Sequence, residues 1–195
     1  MHTATSARRR VLTALGALAL GASALVAAAG PTAAAEPAPV CYRGPDPDTY
    51  WKITNVATGK VLDVNARSTA PGAPLVQYRW TGGANQQWRA VCAVGGGYQL
   101  IARHSGLVAD VSGASTADGA KIIQWSYKGS ANQRWYFGQV GGTDAGLSTY
   151  EIENVGSRKV LDIAPDGLGI VQSPAQGFGG DPTQQWTFES VGSVS

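Results

Sequence analysis

The sequence predicts an all-β fold of twelve strands in three pseudo-symmetric repeats. One observation is a Gln-x-Trp motif that occurs three times and ends at Trp88, Trp135 and Trp186, with intervals of 47 and 51 residues. A motif that recurs at such a period marks a repeated structural unit. A second observation is a series of short alternating segments rich in Val, Ile, Tyr and Trp, separated by clusters of Gly, Asn, Asp and Ser. This pattern is typical of all-β domains.

Comparison of the chain with itself shows that the repetition extends well beyond the motif. Residues 51–88 align with residues 98–135 at a constant shift of 47 and without a gap, and a third copy begins at Tyr150 with a shift of 99. We therefore expect one domain over residues 50–195. Its three repeats are expected at about 50–96, 97–143 and 149–191.

Each copy is predicted to contain four strands. In the first copy these are residues 50–56, 60–64, 74–80 and 86–91. A unit this small cannot bury its apolar face alone, so the three copies are expected to share one core around an approximate threefold axis.

The repeat resembles that of the ricin B-type lectins, also called carbohydrate-binding module family 13. The resemblance rests on the three Gln-x-Trp motifs. Each motif follows, after about 25 residues, a short apolar segment that contains an aspartate, which reads VLDV in the first copy, VADV in the second and VLDI in the third. It covers nearly all of the chain that follows the first 35 residues. The resemblance implies a β-trefoil fold and a non-catalytic lectin that binds galactose-like or pentose sugars.

Residues 1–35 are predicted to be an export signal. Three arginines, Arg8, Arg9 and Arg10, precede a long apolar run, and an Ala-x-Ala cleavage site ends at Ala35. The alternative is a membrane anchor, but the run is rich in Ala and Gly and is only about as long as the shortest spanning helix. We therefore expect a secreted bacterial protein, exported by the general or the twin-arginine route. Residues 36–49 are expected to form a Pro-rich N-terminal arm.

Charge argues against nucleic acid as a partner. Without the three arginines of the signal, the 15 basic residues of the chain fall to 12, against 13 acidic residues. No remaining stretch clusters basic residues as a phosphate-binding surface requires, and no second apolar stretch is long enough to span a bilayer. We expect a monomer that needs no cofactor.

The two cysteines are predicted to form a disulfide. Cys41 lies in the Pro-rich arm and Cys92 follows the first Gln-x-Trp motif, and an even number of cysteines in an exported protein favours pairing. A metal site would need further clustered ligands, and the chain after the signal contains a single histidine. We therefore expect no metal.

The motif tryptophans and glutamines are expected to have structural roles. Trp88, Trp135 and Trp186 are large aromatic residues at equivalent places on apolar strands, so they are predicted to lie in the core. The glutamines two positions earlier are expected to share the face of the strand and to fix the strand and the turn by side-chain hydrogen bonds. These residues are Gln86, Gln133 and Gln184.

Repeated acidic residues are the candidates for ligand binding. Asp63, Asp110 and Asp162 each lie inside an apolar strand, where a carboxylate is costly to bury without hydrogen bonds. Such a residue either stabilises a turn by accepting from backbone N–H groups or faces a partly exposed pocket in which a ligand donates to it. Two adjacent sugar hydroxyls could supply such donors. The resemblance favours the second interpretation for the first two copies.

An aromatic ring and an amide accompany each of these two acids. Tyr78 and Trp125 occupy matching positions and can stack on the C–H face of a sugar, while Asn85 and Asn132 follow seven residues later. Trp80 and Tyr127, two residues beyond the rings, are weaker candidates that could instead be core. The predicted carbohydrate-binding residues are Asp63, Tyr78, Asn85 and Gln86, and Asp110, Trp125, Asn132 and Gln133.

The third copy departs from this pattern. Asp162 is present, but Ser173 stands at the ring position and Thr183 at the Asn position. We expect this copy to keep the fold with an altered site, for which Asp162 is the lesser candidate. Phe178, in an inserted loop, could replace the missing ring or cap the core.

Catalysis is not expected. A glycosidase needs two carboxylates roughly 5 to 10 Å apart, whereas the repeated acids belong to separate copies. His104 lies in a predicted turn without a nucleophile elbow, and a solvent-exposed histidine with no role is the expectation there. The alternatives to a lectin are a β-trefoil protease inhibitor that acts through an exposed loop and a purely structural trefoil.

Overall fold

The computed structural model describes residues 41, 44–177 and 179–194, and these residues form the twelve predicted strands. The strands are β1 (Thr49–Asn55), β2 (Val61–Val64), β3 (Leu75–Tyr78), β4 (Trp88–Cys92), β5 (Tyr98–Ala102), β6 (Val108–Val111), β7 (Ile122–Trp125), β8 (Trp135–Gly142), β9 (Ser148–Asn154), β10 (Val160–Ile163), β11 (Ile170–Ser173) and β12 (Gln185–Ser193). The predicted export signal lies outside the described residues.

Six of the strands close into a barrel. Antiparallel pairs join β1 to β4, β4 to β5, β5 to β8, β8 to β9, β9 to β12 and β12 back to β1. Each repeat contributes its first and fourth strand to this ring. Closure leaves no unpaired edge in the barrel, which removes the hazard of an exposed strand.

The other six strands form three hairpins, β2–β3, β6–β7 and β10–β11. Single bridges connect the hairpins to one another, such as the bridge between Pro74 and Ile123. A six-stranded barrel with three hairpins in threefold repetition is the β-trefoil, so the predicted fold class is confirmed.

The core contains the three motif tryptophans, as predicted. Trp88, Trp135 and Trp186 are fully buried and belong to one apolar cluster with side chains from all three repeats. Phe137 and Phe188 form an edge-to-face pair in the same cluster, with ring centroids 5.4 Å apart. This arrangement suits aromatic rings because the electropositive edge of one ring meets the electron-rich face of the other.

Buried glutamines on the hairpins tie each repeat to another repeat. Gln124 on β7 donates its Nε2 to the carbonyl oxygens of Ser68 and Ala70, at 2.8 and 2.9 Å. Gln172 does the same with Ser115 and Ala117, and Gln77 donates to Gly167. Because the glutamines are buried, these hydrogen bonds are shielded from water, and the loop between the two strands of each hairpin is fixed by the neighbouring repeat.

Two strand predictions need correction at their ends. The third strand of the first copy ends at Tyr78 and not at residue 80, so Trp80 is an exposed residue and not part of the core. Tyr127 is exposed in the same way. Gln86 is the last residue of a 3-10 turn, Ala84–Gln86, that precedes β4, so it does not share a strand face with Trp88. The motif therefore spans a turn and a strand.

Cys41 and Cys92 form the predicted disulfide, with their Cα atoms 5.8 Å apart. The bond joins residues separated by 51 positions. In the chain-entropy account, a cross-link of this span lowers the entropy of the unfolded chain and so raises the free energy of unfolding by about 4 kcal/mol. It attaches the N-terminal arm to β4. None of the helical turns in the described part of the chain is long or apolar enough to cross a bilayer.

Candidate functional site

Two open cavities lie on the outside of the trefoil, one beside the first hairpin and one beside the second. The first has a volume of about 550 Å³ and is lined by Asp63, Tyr78 and Asn85, among others. The second has a volume of about 480 Å³ and is lined by Asp110, Trp125, Asn132 and Gln133. The structure thus brings the residues predicted from the sequence together in two equivalent places, with Gln86 directly behind Asp63.

The glutamine of the motif holds both the carboxyl group and the neighbouring loop. Gln86 donates Nε2 to Asp63 Oδ2 at 2.7 Å and to the carbonyl oxygen of Arg79 at 2.9 Å, while its Oε1 accepts from the N–H of Thr81 at 2.8 Å. Gln133 repeats all three contacts in the second copy, including the 2.7 Å bond to Asp110 Oδ2. The predicted role in fixing the turn is confirmed.

The tryptophan of the motif holds the backbone beside the carboxyl group. Its indole Nε1 donates to the carbonyl oxygen of the residue that precedes each Asp. The acceptors are Leu62 for Trp88 and Ala109 for Trp135, both at 3.0 Å, and Leu161 for Trp186 at 3.2 Å. One three-residue motif therefore positions the acid through its side chain and through its backbone.

The asparagines also point at the acids. Asn85 Nδ2 lies 3.0 Å from Asp63 Oδ2, and Asn132 Nδ2 lies 3.0 Å from Asp110 Oδ1. In the first cavity both amides donate to the same carboxyl oxygen, whereas in the second each oxygen receives one amide. The difference follows a difference in sequence: Gly83 leaves room for Asn85 Oδ1, where a Cβ would come within 2.5 Å, and Ser130 stands at the matching position.

Both carboxyl groups keep acceptor capacity on the cavity side. Asp63 and Asp110 are each only 5% exposed, but each lines an open cavity. Oδ1 of Asp63 accepts from no other described residue and is not among the buried unpartnered atoms. Since a carboxylate offers about four acceptor positions, two incoming hydroxyl donors can still be accommodated. The acids therefore form the base of each cavity.

The aromatic rings lie on the same face of the hairpin as the acids. Asp63 pairs with Val76 across the first hairpin, and Tyr78 is two residues further along β3, so the side chains share a face. Trp125 has the same relation to Asp110 in the second hairpin. Tyr78 is 47% exposed and Trp125 is 37% exposed. Each cavity thus has an acceptor at its base and a flat apolar ring at its side.

Burial changes the acidity of both acids. Removal from water raises the pKa of Asp63 and of Asp110, because the charged form loses hydration. Hydrogen bonds from the Gln and Asn amides lower the pKa in part, and so does the positive charge of Arg67 beside Asp63 and of Lys128 beside Asp110. A donor that replaces lost water would therefore stabilise the charged carboxylate.

The third copy has a different arrangement around its acid. Asp162 accepts from Gln184 Nε2 at 3.0 Å, but its Oδ1 accepts from the backbone N–H of Ile163 at 2.7 Å. Thr183 donates its hydroxyl to Asp181 and does not reach Asp162. Here the acid has the backbone-stabilising role that was the alternative for all three copies. Phe178 lies outside the described residues.

His104 is not the exposed side chain that the sequence suggested. It is partly buried, and its Nε2 lies 2.8 Å from the carbonyl oxygen of Ser68. Since a carbonyl only accepts, Nε2 carries the proton. His104 therefore links the second repeat to a loop of the first.

The first cavity is also lined by residues that the sequence pattern did not single out, and two arginines and a leucine are the most important of them. Arg67 and Arg79 are exposed side chains at its rim, and Leu168 belongs to the third repeat. The two arginines could have been found by comparing the flanks of the acid and the ring between copies. Leu168 could not, because only the folded chain brings a loop of the third repeat to the first cavity.

Comparison with known proteins agrees with this geometry. The family model described as "Ricin-type beta-trefoil lectin domain-like" matches residues 41–125 and 131–195. No curated protein sequence is similar enough to this chain to be counted as a relative.

Solved structures give the same result. A designed threefold-symmetric protein, ThreeFoil, is 40% identical with a TM-score of 0.64, covering 71% of this chain and 96% of its own. An exo-β-1,3-galactanase from Clostridium thermocellum is 34% identical with a TM-score of 0.65, covering 73% of this chain but only 30% of the enzyme. A Macrolepiota procera ricin B-like lectin in complex with lactose is 20% identical with a TM-score of 0.60, over 75% of this chain and 99% of its own. The chain belongs to the ricin-type β-trefoil lectin family.

Proposed function

We propose that the protein is a secreted, non-catalytic lectin that binds galactose-like or pentose units of polysaccharides or glycoconjugates through two sites, one around Asp63 and one around Asp110. One observation carries this proposal: in each of two open cavities, a largely buried carboxylate lies at the base beside an exposed aromatic ring. Family membership favours carbohydrate binding in general terms.

The chemistry of each cavity complements a sugar ring. Adjacent hydroxyl groups donate to the carboxylate, whose orientation the Gln and Asn amides fix in advance. The C–H face of the sugar stacks on Tyr78 or Trp125. No step of this binding requires bond cleavage, which is consistent with a role in retention.

Each site is expected to be weak on its own. A shallow cavity with few contacts corresponds to an affinity around millimolar, or about −4 kcal/mol. Two such sites on one rigid domain gain through simultaneous engagement of a polymer, because the second contact becomes intramolecular. The protein would therefore hold polymers far better than monosaccharides.

A glycan array probed with the folded domain, followed by retention on immobilised polysaccharides, tests the proposal. β-1,3-Galactan is the first polymer to try, since one similar structure is an exo-β-1,3-galactanase, and arabinoxylan tests for binding of pentose units. Retention that free galactose or arabinose displaces is the expected result. Inhibition of a protease without retention on any glycan would support an inhibitor instead.

Removal of one ring is expected to weaken only its own site. Tyr78→Ala and Trp125→Ala each lose a stacking surface worth about 1 kcal/mol, so monosaccharide affinity at that site should fall about fivefold. Loss of one site should reduce polymer retention more steeply, because avidity is lost. Chemical shifts of the backbone amides near each cavity, followed during sugar titration, separate the two sites. Trp80→Ala, a ring outside both cavities, is the matched control and should leave both affinities unchanged.

Sugar binding is expected to decline in mild acid. Burial raises the pKa of Asp63 and Asp110 above the ordinary value of 3.8, so protonation begins at a higher pH than for an exposed aspartate. Binding of neutral methyl galactoside should be complete at pH 7 and lost as the pH falls through this raised pKa. Titrations at successive pH values measure the effect. An affinity that stays constant down to pH 4 would contradict the assigned role of the acids.

Unfolding driven by these two groups cannot produce the same decline. Their pKa is higher in the folded protein than in the unfolded chain, so the native state binds more protons between the two values. Their contribution to stability is therefore fully present below 3.8 and is lost as the pH rises through the folded pKa. Circular dichroism recorded alongside the binding titration should show a folded protein where binding is lost.

A further inference from the structure

The two cavities differ in charge. The self-alignment places Ala114 where the first copy has Arg67, Ser126 where it has Arg79, and Lys128 where it has Thr81. The first cavity therefore combines one carboxylate with two guanidinium groups, and the second combines one carboxylate with one ammonium group. Since both cavities share the Asp and the Asn, this difference in charge is expected to separate the ligands of the two sites.

Both guanidinium groups of the first cavity are available to a ligand. Arg67 follows β2 in a turn, and its Nη2 lies about 3.5 Å from the place that a Cβ on Gly83 would occupy. The guanidinium of Arg79 lies 5.8 Å from the ring centroid of Tyr78. Neither group forms an ion pair or hydrogen bond with another side chain or carbonyl in the described part of the chain. One positive charge thus stands near the acid and the other near the stacking ring.

A fixed apolar wall from the third repeat completes this cavity. Leu168 lines it and is 49% exposed. The equivalent residues of the other two repeats are Ala73 and Ala120, because the carbonyl oxygen of each of the three accepts from the backbone N–H of a hairpin glutamine in another repeat. The loop is held by Asp166, whose Oδ1 accepts from the N–H groups of Leu168 and Gly169 at 2.8 and 2.9 Å. An apolar wall reduces the screening of nearby charges by water, which strengthens their attraction for an anion.

We infer that the cavity around Asp63 prefers a sugar unit that bears a carboxylate, a hexuronate, whereas the cavity around Asp110 takes neutral sugars. The inference rests on the proposed function and names the ligand class of one of its two sites. Hydroxyl groups of the uronate donate to Asp63, and its carboxylate accepts from Arg67 or Arg79. Guanidinium suits this role because its planar N–H groups match a carboxylate in a bidentate geometry.

Repulsion from Asp63 does not oppose this assignment. With two guanidinium groups and one carboxylate, the charged side chains of the cavity carry a net positive charge. In the second cavity Lys128 only balances Asp110. An anionic sugar is therefore attracted to the first cavity and gains nothing in the second.

Single-site variants allow a direct test. Asp110→Ala isolates the first cavity and Asp63→Ala isolates the second. Each is titrated with four probes: methyl galactoside, methyl galactosiduronate, the neutral methyl ester of that uronate, and galactose 6-sulfate. In the Asp110→Ala protein the uronate should bind about fivefold to tenfold more tightly than its ester, the range expected for a charge-assisted hydrogen bond at a partly exposed site. In the Asp63→Ala protein the two should agree within about twofold.

Exchange of the arginines for the residues of the second copy identifies the groups responsible. On the Asp110→Ala background, Arg67→Ala or Arg79→Ser should reduce the preference for the uronate over its ester, and the two changes together should abolish it. Arg158→Gly is the matched control, because it also removes one positive charge, lies outside both cavities and restores the glycine found at Gly59 and Gly106. It should leave the preference unchanged. If an arginine variant fails to fold, the NaCl dependence of the preference is measured on the Asp110→Ala protein: a preference that falls with salt is the expected result, and one that is independent of salt would overturn the inference.

The outcomes separate this inference from the proposed function. Equal affinity of the first cavity for uronate and ester would overturn the inference while leaving a two-site lectin. Tighter binding of the sulfate than of the uronate would overturn the assignment to a carboxylate. Failure of both single-site variants to bind any of the probes, and of the parent protein to bind any glycan, would overturn both proposals.

Discussion

Replacement of both Asp63 and Asp110 by Ala is expected to abolish retention on polysaccharide without unfolding the domain. Each carboxylate supplies the anionic acceptor at the base of its cavity, and a hydrogen bond to a charged group is worth about 1.5–3 kcal/mol. A site near −4 kcal/mol that loses this amount binds too weakly to be measured. Retention on a galactan or arabinoxylan column and monosaccharide titration both report the loss.

The fold is expected to survive because every amide that contacts the acids has a second acceptor. Gln86 still donates to the carbonyl oxygen of Arg79, and Asn85 still lies within reach of the carbonyl oxygen of Val64. Removal of a carboxylate whose pKa is raised by burial also removes a desolvation cost. The free energy of unfolding should therefore change by no more than about 1 kcal/mol per site. Thermal melting of the variant checks this expectation.

Asp162→Ala is the matched control for the double variant. Asp162 occupies the equivalent strand position but accepts from the backbone of Ile163 and has no adjacent aromatic residue at the ring position. Sugar binding should be unchanged in this variant. A double variant that unfolds, or that still binds polysaccharide normally, would contradict the assignment of the acids to the binding site. It would favour a structural role for all three acids.

Most of the fold could be predicted because the sequence pattern that determines it recurs in three copies. The shift that aligns Trp88 with Trp135 also aligns every strand between them, so an error in one copy is corrected by another. Two strand ends were predicted wrongly. Gln86 belongs to a turn in which its side chain hydrogen-bonds to the backbone of Arg79 and Thr81. The alternation of apolar residues does not predict such a contact.

The candidate sites could be predicted where their parts are local to one repeat. Asp63 and Tyr78 lie on the two strands of one hairpin, so their spacing in sequence determines that they share a face. Leu168 and the link between His104 and Ser68 depend on contacts between repeats. The role of Asp162 depends on the orientation of its side chain, which accepts a hydrogen bond from the backbone N–H of Ile163. Pattern alone cannot give either kind of contact.

Trp135→Ala is expected to cause the largest loss of stability of any single change considered. The side chain is fully buried in the core that all three repeats share, and truncation of a buried Trp costs about 3–5 kcal/mol through lost burial and an unfilled cavity. This is a large fraction of the roughly 5–15 kcal/mol that holds a typical domain together. Urea unfolding followed by tryptophan fluorescence and circular dichroism measures the loss. Trp125→Ala is the control, because it deletes the same side chain from an exposed position and should cost less than about 1 kcal/mol.

Trp135→Phe separates the packing role of this residue from its role in positioning the acid. A phenyl ring fills part of the space but cannot donate to the carbonyl oxygen of Ala109, which precedes Asp110. An unpaired buried carbonyl costs about 1–3 kcal/mol, so stability should fall by less than in the Ala variant. Because only the backbone beside Asp110 loses its support, affinity should fall in the second cavity and stay constant in the first. Equal weakening of both cavities would show that the motif tryptophan acts through global stability and not through the strand that carries the acid.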